Sequence, residues 1–308
     1  MKTRNILEQN LTENNFELLK ILLKDRTTNQ YIKWATDNYI IYGMSYAPEK
    51  EILPKKIIIG NNNLIQPRIL KAQEEQSKRT RDKAEVFTPS WICNEQNNLV
   101  DEAWFNRKNI FNRPIENGWI TNEKIIDFPN QKTWKDYIDE RRLEISCGEA
   151  PYLVSRYDTV SGKLIKVPDR IGLLDRKLRV INENVDDEKT WIEWVNRAYQ
   201  SIYGYEYQGD NLLIARENLF YTFIDNMKYK FNHFPTLSQM KRIATIISWN
   251  IWQMDGLTMT VPYSNAEPTF LQISWLGSDI EKKESIYSKI FDWRSNCSLE
   301  FRLLVNGD

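Results

Sequence analysis

The stretch from Leu143 to Leu153, L-E-I-S-C-G-E-A-P-Y-L, constrains the fold of this chain more than any other. Leu143 and Ile145 would sit on a short strand, Cys147 and Gly148 would make a tight turn, and Pro151 fits the first position of a helix, where its missing N–H costs nothing. A strand, turn and helix in this order belong to an α/β sheet. Such a turn presents backbone N–H groups to a ligand at the strand's carboxyl end. An ordinary connecting turn uses the same residues, so the order of the surrounding segments has to decide.

Composition removes several alternatives. The chain has one histidine, His233, in the loop Phe231 to Pro235, which argues against His-rich metal centres and His-based triads. Cys93, Cys147 and Cys297 are widely spaced and lack a C-x-x-C pair, which argues against a disulfide framework or zinc knuckle and points to a reducing cytoplasm. Basic and acidic residues both number 42, so no global basic field argues for nucleic acid, although a local basic face remains open. The 11 Trp suit either stacking surfaces or large packed cores. No apolar run approaches the roughly 18 residues of a membrane helix.

Taken in order, residues 5–37 carry apolar residues at helical spacing (Leu7, Leu11, Phe16, Leu19, Leu22, then Tyr31, Trp34, Ala35) and predict two or three amphipathic helices. Residues 39–65 mix short apolar runs, Ile57 to Ile59 among them, with Pro, Gly and Asn, and read as strands or an irregular connector. Residues 66–83 are the most basic stretch. There Arg79, Arg81 and Lys83 are either a solvated face or a phosphate-contacting arm. A helix follows through Trp91 to Phe105 with Ser90 as its cap, and 106–139 reads as loop. After the central strand, Asp158 to Lys163 reads as a hairpin tip, Ile171 to Leu178 as a short helix and Trp191 to Ser201 as an amphipathic helix. Ile202 to Glu206 reads as a strand ending in an acid, and a strongly periodic helix starts at Asp210. Ile243 to Trp252 is apolar and runs into Met254-Asp255-Gly256. The tail, 270–301, offers two or three strands around a charged turn or helix at 279–289.

The succession E-V-F-T-P (Glu85 to Pro89), L-E-I-S-C-G-E-A-P-Y-L, I-Y-G-Y-E-Y-Q-G-D-N-L-L-I-A-R-E-N-L (Ile202 to Leu219) and N-I-W-Q-M-D-G-L (Asn250 to Leu257) resembles the N6-adenine DNA methyltransferases of restriction-modification systems. The resemblance covers roughly 79–257. It implies a class I S-adenosylmethionine-dependent, Rossmann-type sheet over 84–308, preceded by a helical N-terminal appendage and basic linker over 1–83. It also implies S-adenosylmethionine as cofactor and DNA as partner. Phe87 and Thr88 would wall the methionine end, with Pro89 setting the next helix. Glu144, Ser146, Cys147 and Gly148 would form the strand and loop beneath the cofactor. Glu206, followed by Tyr207, would accept from the ribose hydroxyls, and Asp255, followed by Gly256, from the adenine amine. Each acid also reads as an ordinary strand-end or loop residue. Cys147 reads better as a small packing residue than as a nucleophile, with no histidine nearby to activate it.

The departures from that pattern matter equally. Ile145 replaces the family's Pro, and Ala150 stands where a Gly gives room and permits a positive φ. Glu149 adds negative charge, and the long gap from Glu144 to Glu206 implies an inserted hairpin. The Asn/Asp-Pro-Pro-aromatic loop that holds a flipped adenine is absent from the sequence, and Thr260-Val261-Pro262-Tyr263 is only an echo of it. The catalytic residues are therefore unknown, and three readings follow. The first is an S-adenosylmethionine-binding subunit that needs a partner, a catalytic or specificity subunit, to methylate DNA. The second is a catalytically inactive cofactor- or DNA-binding protein of a defence locus. The third, a restriction endonuclease, would rest on the loose cluster Asp139, Glu140 and Glu144.

Overall fold

A computed structural model describes residues 16–59, 64–83, 88–264 and 285–306. The architecture is mixed α/β around a three-stranded parallel sheet. In chain order the elements are α1 (Phe16–Leu22), α2 (Pro54–Ile59), α3 (Gln73–Lys83), α4 (Ser90–Phe105), the hairpin β1 (Asn112–Ile115) and β2 (Gly118–Thr121), α5 (Trp134–Asp139) and β3 (Arg142–Glu144). There follow α6 (Leu173–Asn184), α7 (Glu188–Gln200), β4 (Ile202–Glu206), α8 (Gly209–Phe231), α9 (Leu237–Asn250), β5 (Ile251–Gln253), a second hairpin β6 (Lys289–Asp292) and β7 (Cys297–Glu300), and α10 (Phe301–Asn306).

The sheet order is β3-β4-β5, with Leu143 opposite Tyr203 and Gly204 opposite Ile251. Parallel neighbours need crossovers, and here each crossover contains two helices, α6 and α7 for the first, α8 and α9 for the second. Strand β4 shows the alternation this demands. Ile202, Gly204 and Glu206 are buried, whereas Tyr203 and Tyr205 face a smaller cluster with Trp252, Met254, Ile290 and Phe301. The large tryptophans Trp34, Trp191 and Trp252 are fully buried, so these three serve the core rather than a stacking surface.

The N-terminal residues share that core. Leu18, Leu22, Ile32, Trp34 and Ile52 belong to the same hydrophobic cluster as Leu212, Phe220, Ile247 and Ile251. That cluster therefore joins described residues from both sides of the boundary the sequence suggests. The buried Arg216 of α8 donates to the carbonyls of Leu22 and Lys24 on one side and of Ile251 and Ser248 on the other. Gly209 lies so close to the N-terminal segment that a Cβ would stand 1.9 Å from the Lys33 carbonyl oxygen.

Several sequence expectations are corrected. Tyr31, Trp34 and Ala35 are not helical: Ile32 and Trp34 alternate with Tyr31 and Lys33 on an extended segment, whose N–H groups at Ile32 and Trp34 donate to Leu23 and Lys50. The spacing i, i+3, i+4 hid a period of two. Ile57 to Ile59 end the helix α2, which Pro54 starts, instead of a strand. The supposed loop 106–139 holds the β1–β2 hairpin, turned at Glu116-Asn117-Gly118 with Asn117 at φ 53°, and the short α5 with its Thr133–Asp136 capping box. Pro151 starts no helix: residues 150–153 form a turn, and the helix waits until Leu173. The apolar run from Ile243 divides into the end of α9 and all of β5. By contrast α4, α7, β4 and α8 lie where the sequence puts them, within a few residues. The hairpin tip is present as a Tyr157–Leu164 bridge with Asp158 accepting from Val160 and Ser161. The expected helix start at residues 5–15 and most of the charged turn at 279–289 lie outside the described residues. Among the described residues no helix is long and apolar enough to cross a membrane.

One buried cluster fastens these parts together. Asp210, in the first turn of α8, accepts from Arg79 at 2.8 Å, from the Tyr39 hydroxyl at 2.9 Å and from Lys71 at 3.3 Å. Burial alone would raise its carboxyl, but the Lys71 and Arg79 charges and the Arg79 and Tyr39 hydrogen bonds outweigh that and hold it well below the usual carboxylate range. Removing one partner of such a group is costly, so Arg79→Ala is expected to destabilise by about 3–5 kcal/mol, whereas the exposed Arg81→Ala is expected to leave stability close to that of the wild type. Urea midpoints measure the difference. Because the folded carboxyl is depressed, its contribution is present above the unfolded value and is lost as pH falls below about 4. Asp210→Asn therefore flattens the acid limb of the stability profile.

Candidate functional site

At the carboxyl ends of β3 and β4 lies a cavity of about 750 Å³. It collects Thr88, Glu144, Ser146, Cys147, Gly148, Glu206 and Tyr207, residues that the sequence scatters over more than a hundred positions. A second cavity of about 530 Å³, between the first hairpin, α6 and α8, contains none of them.

The loop after β3 forms the floor. Ser146, Gly148 and Ala150 all have left-handed backbone, at φ 46°, 54° and 62°. Only Gly148 adopts this without cost, since a Cβ at positive φ is strained by about 1 kcal/mol or more. Ala150 thus takes the conformation expected to be barred to it, held by its own N–H to the Cys147 carbonyl and by complete burial. The winding turns successive N–H groups inward, where they meet two carboxylates of the protein. Gly148 and Gln208 donate to Glu206 at 2.8 and 3.0 Å, and Tyr152 and Leu153 donate to Glu144 at 3.3 and 3.1 Å.

Electrostatics follow from that burial. Desolvation pushes the Glu144 carboxyl up to about 8 against the N–H groups of Tyr152 and Leu153, with the Glu206 charge adding to the rise. Desolvation raises Glu206 as well, opposed by the N–H groups of Gln208 and Gly148. Burial drives the Cys147 thiol well above its ordinary range, with Glu144 and Glu206 adding to it, so it is a packing residue against Gly204 and not a nucleophile. Among the described lining residues the acids are Glu144, Glu206 and Asp37, and none is Lys, Arg or His.

The remaining expected residues divide. Thr88 is fixed by the inserted hairpin: the Thr159 hydroxyl donates to its carbonyl at 2.9 Å, while Asp158 accepts from the Ser90 N–H at 2.7 Å and so caps α4. Pro89, not Ser90, is the N-cap residue and has no side-chain acceptor, which is why the cap comes from sixty-odd residues away. Phe87 lies outside the described residues. Asp255 does not reach the cavity: its Oδ1 accepts from Leu257 and Thr258 N–H and closes its own turn. Gly256 packs against the Tyr205 ring, also outside the lining. Glu149 turns away from the cavity, accepting from the Arg68 N–H and the Tyr157 hydroxyl, each at 2.6 Å, so it adds no charge there.

The basic stretch is corrected in part. Arg79 is enclosed with Asp210, Gln208 and Asn211 and is out of reach of a phosphate backbone. Arg81 is exposed beside Asp82, and Lys83 closes α3. The carboxylates invoked for a nuclease have separate partners: Asp139 pairs with Arg197, Glu140 with Arg142, and Glu144 with the turn. Among the described residues no group of three His, Cys, Asp or Glu is arranged for a metal ion. His233 is an exposed loop residue beside Glu188.

Sequence reasoning missed two parts of the wall. Ala35, Thr36, Asp37 and Pro48 line it from the N-terminal segment, and nothing in their local pattern marks them. Tyr263 lines it too, at φ 58°, its ring 6.5 Å from that of Tyr207, and the Pro-aromatic echo after β5 was the available signal. Searches against protein-family models, curated proteins and solved structures returned no match.

The raised Glu144 and Glu206 carboxyls give a signed expectation. Groups whose folded values lie above their unfolded ones stabilise fully at pH below about 4.5, and that stability is lost as pH rises toward 8. Thermal midpoints of the wild type should fall across that window. Glu144→Gln, which cannot ionise, should fall less steeply; an unchanged slope would remove Glu144 as its source.

Proposed function

We propose that the chain is an S-adenosylmethionine-binding subunit related to the adenine-N6 DNA methyltransferases, with a class I methyltransferase type of sheet, working within a restriction-modification system in the cytoplasm. The observation that carries this reading is the convergence of Glu144, Ser146, Cys147, Gly148, Glu206 and Tyr207 on one cavity at the ends of two parallel strands. The donor set fits the ligand. The described lining holds no basic residue, which disfavours phosphates, and its carboxyl oxygens suit a ligand that carries hydroxyl and ammonium donors. Glu206 would hold the ribose hydroxyls with its remaining lone pairs, the backbone around Gly148 would face the ligand's chain, and Thr88 would close the methionine end. Bound S-adenosylmethionine supplies a methyl group activated by positive sulfur.

Methyl transfer would draw on an Asn/Asp-Pro-Pro-aromatic tetrapeptide, which these 308 residues do not hold and which the proposal assigns to a partner chain. A catalytically silent binder is the second reading, favoured by Glu206, whose two oxygens each already accept an N–H. DNA methylation appearing only when a partner carrying that tetrapeptide is added separates the two.

Calorimetric titration with S-adenosylmethionine tests the shared core of both. The wild type is expected to bind at micromolar concentration, Glu206→Ala to lose at least about tenfold (about 1.4 kcal/mol), and Asp255→Ala to bind as the wild type does. Absence of binding by the wild type would overturn the reading. For DNA, Arg81→Glu should lower affinity and reduce the salt slope by about one, measured by anisotropy across salt concentrations.

A further inference from the structure

Two tyrosines line the cavity from separate parts of the chain, Tyr207 directly after β4 and Tyr263 in the turn that follows β5. One buried side chain braces both. The Gln253 amide, at the end of β5, donates to the Tyr207 carbonyl and to the Lys33 carbonyl, each at 2.8 Å. Its oxygen accepts from the Lys33 N–H at 2.8 Å, and the Lys33 ammonium donates to the Pro262 carbonyl at 2.8 Å. The Ser264 N–H closes the turn on the Val261 carbonyl, and the Val261 N–H donates to Ile286. Tyr263 is thereby held at φ 58°, a left-handed backbone that a bulky side chain rarely adopts. Such an outlier persists only where its surroundings over-determine it, and positions of this kind gather at ligand sites.

Core packing does not account for the Tyr263 ring. It is 49% exposed, and neither it nor Tyr207 belongs to the hydrophobic clusters of the described residues. Its ring neighbour is Tyr207, with centroids 6.5 Å apart and planes 44° from parallel. At that separation the two rings already touch, so they present one aromatic wall and leave no slot between them. Such a wall favours a planar ring, which meets it by stacking or edge-to-face contact. We propose that Tyr263 is a specificity-determining residue of this cavity: with Tyr207 it forms the wall against which the base of the ligand packs, so that the site selects a nucleoside over an amino acid of similar charge. This rests on the cavity being the S-adenosylmethionine site. It gives a part in recognition to the turn at 260–264, which lies beyond the residues 79–257 that resemble the methyltransferases.

The test uses the full chain and three probes: S-adenosylmethionine; 5′-methylthioadenosine, which has the nucleoside but no amino-acid end; and S-methylmethionine, which has the sulfonium and ammonium but no base. Calorimetry is run on wild type, Tyr263→Phe, Tyr263→Ala and Tyr263→Leu, with thermal midpoints to verify folding; Tyr263→Leu keeps the bulk of the side chain without a π face and stands in if Tyr263→Ala is unstable. The wild type is expected to bind both nucleosides and to bind S-methylmethionine at least about a hundredfold more weakly than S-adenosylmethionine. Tyr263→Ala and Tyr263→Leu are expected to weaken both nucleosides alike, by about tenfold for Tyr263→Ala, while Tyr263→Phe stays within about twofold. Proton NMR adds a readout that a merely structural role would not move: the ring-current shift of the adenine protons in bound methylthioadenosine should shrink in Tyr263→Leu. Loss confined to S-adenosylmethionine would place its sulfonium, not its base, on the ring and overturn the proposal. Equal loss in Tyr263→Phe and Tyr263→Ala, no loss in any variant, wild-type binding of S-methylmethionine as tight as that of S-adenosylmethionine, or wild-type binding of S-adenosylmethionine without methylthioadenosine would overturn it too, leaving the site reading intact. Wild-type protein that binds neither nucleoside would overturn the site reading itself, and this inference with it.

Discussion

The Asp210 carboxylate, buried at the start of α8 with Arg79, Lys71 and the Tyr39 hydroxyl around it, is the contact on which the arrangement of the site depends. A lone charge at this depth would be untenable, and a helix N-terminus, two cations and a phenol make it stable. The consequence is positional. The same guanidinium that meets Asp210 also meets Gln208 and Asn211, so the turn between β4 and α8 is set from the N-terminal side. Gln208 in turn donates its N–H to Glu206. A chain of contacts therefore runs from α3 through a buried ion pair to the acid at the strand end.

That dependence explains why the sequence was legible only in part. Elements whose stability is local could be read: α7 and α8 from their apolar periodicity, β4 from five residues ending in an acid, the hairpin tip from Asp158 and Gly162. Elements that exist through distant partners could not. The extended segment at Ile32 to Trp34 is an extended run because Leu23 and Lys50 accept from it, and no window of eleven residues contains that information. Pro151 looked like a helix start because the local chemistry permits one, but the chain turns there so that Tyr152 and Leu153 can satisfy Glu144. The asparagine–glycine pair at 117–118 was a readable signal that the charged surroundings obscured.

The site divides along the same line. Residues near strand ends, from Glu144 to Gly148 and from Glu206 to Tyr207, line one cavity, and a strand followed by an acid or a turn is a local pattern that a sequence displays. Asp255 carries the same pattern and yet lies outside the cavity, since its oxygen closes the turn at Leu257 and Thr258. The pattern alone cannot distinguish an acid that faces the cavity from one that caps its own loop; both are polar side chains after an apolar run. Asp37 and Thr36 were invisible for the opposite reason, having no pattern and acquiring their place through Trp34, Gly209 and Tyr39.

Strain in the loop after β3 ties these points together. Left-handed Ser146 and Ala150 are unfavourable in isolation, and the loop holds them because it is over-determined from three directions: the Cys147 N–H to Tyr205, the Gly148 N–H to Glu206 and the Asn218 amide to the Glu149 carbonyl. A glycine at 150 would relieve the strain but also free the turn. Alanine keeps the turn narrow by filling the core beneath it, where it is fully buried. The loop's N–H groups then face the chain's own carboxylates instead of an external anion. A phosphate loop uses the same backbone to bind negative charge, whereas here that capacity is already taken, and what remains toward the cavity is acidic. The winding turns N–H groups inward, but those of Gly148, Tyr152 and Leu153 are met by Glu206 and Glu144, so the chain's own carboxyls occupy the place that an external anion would take.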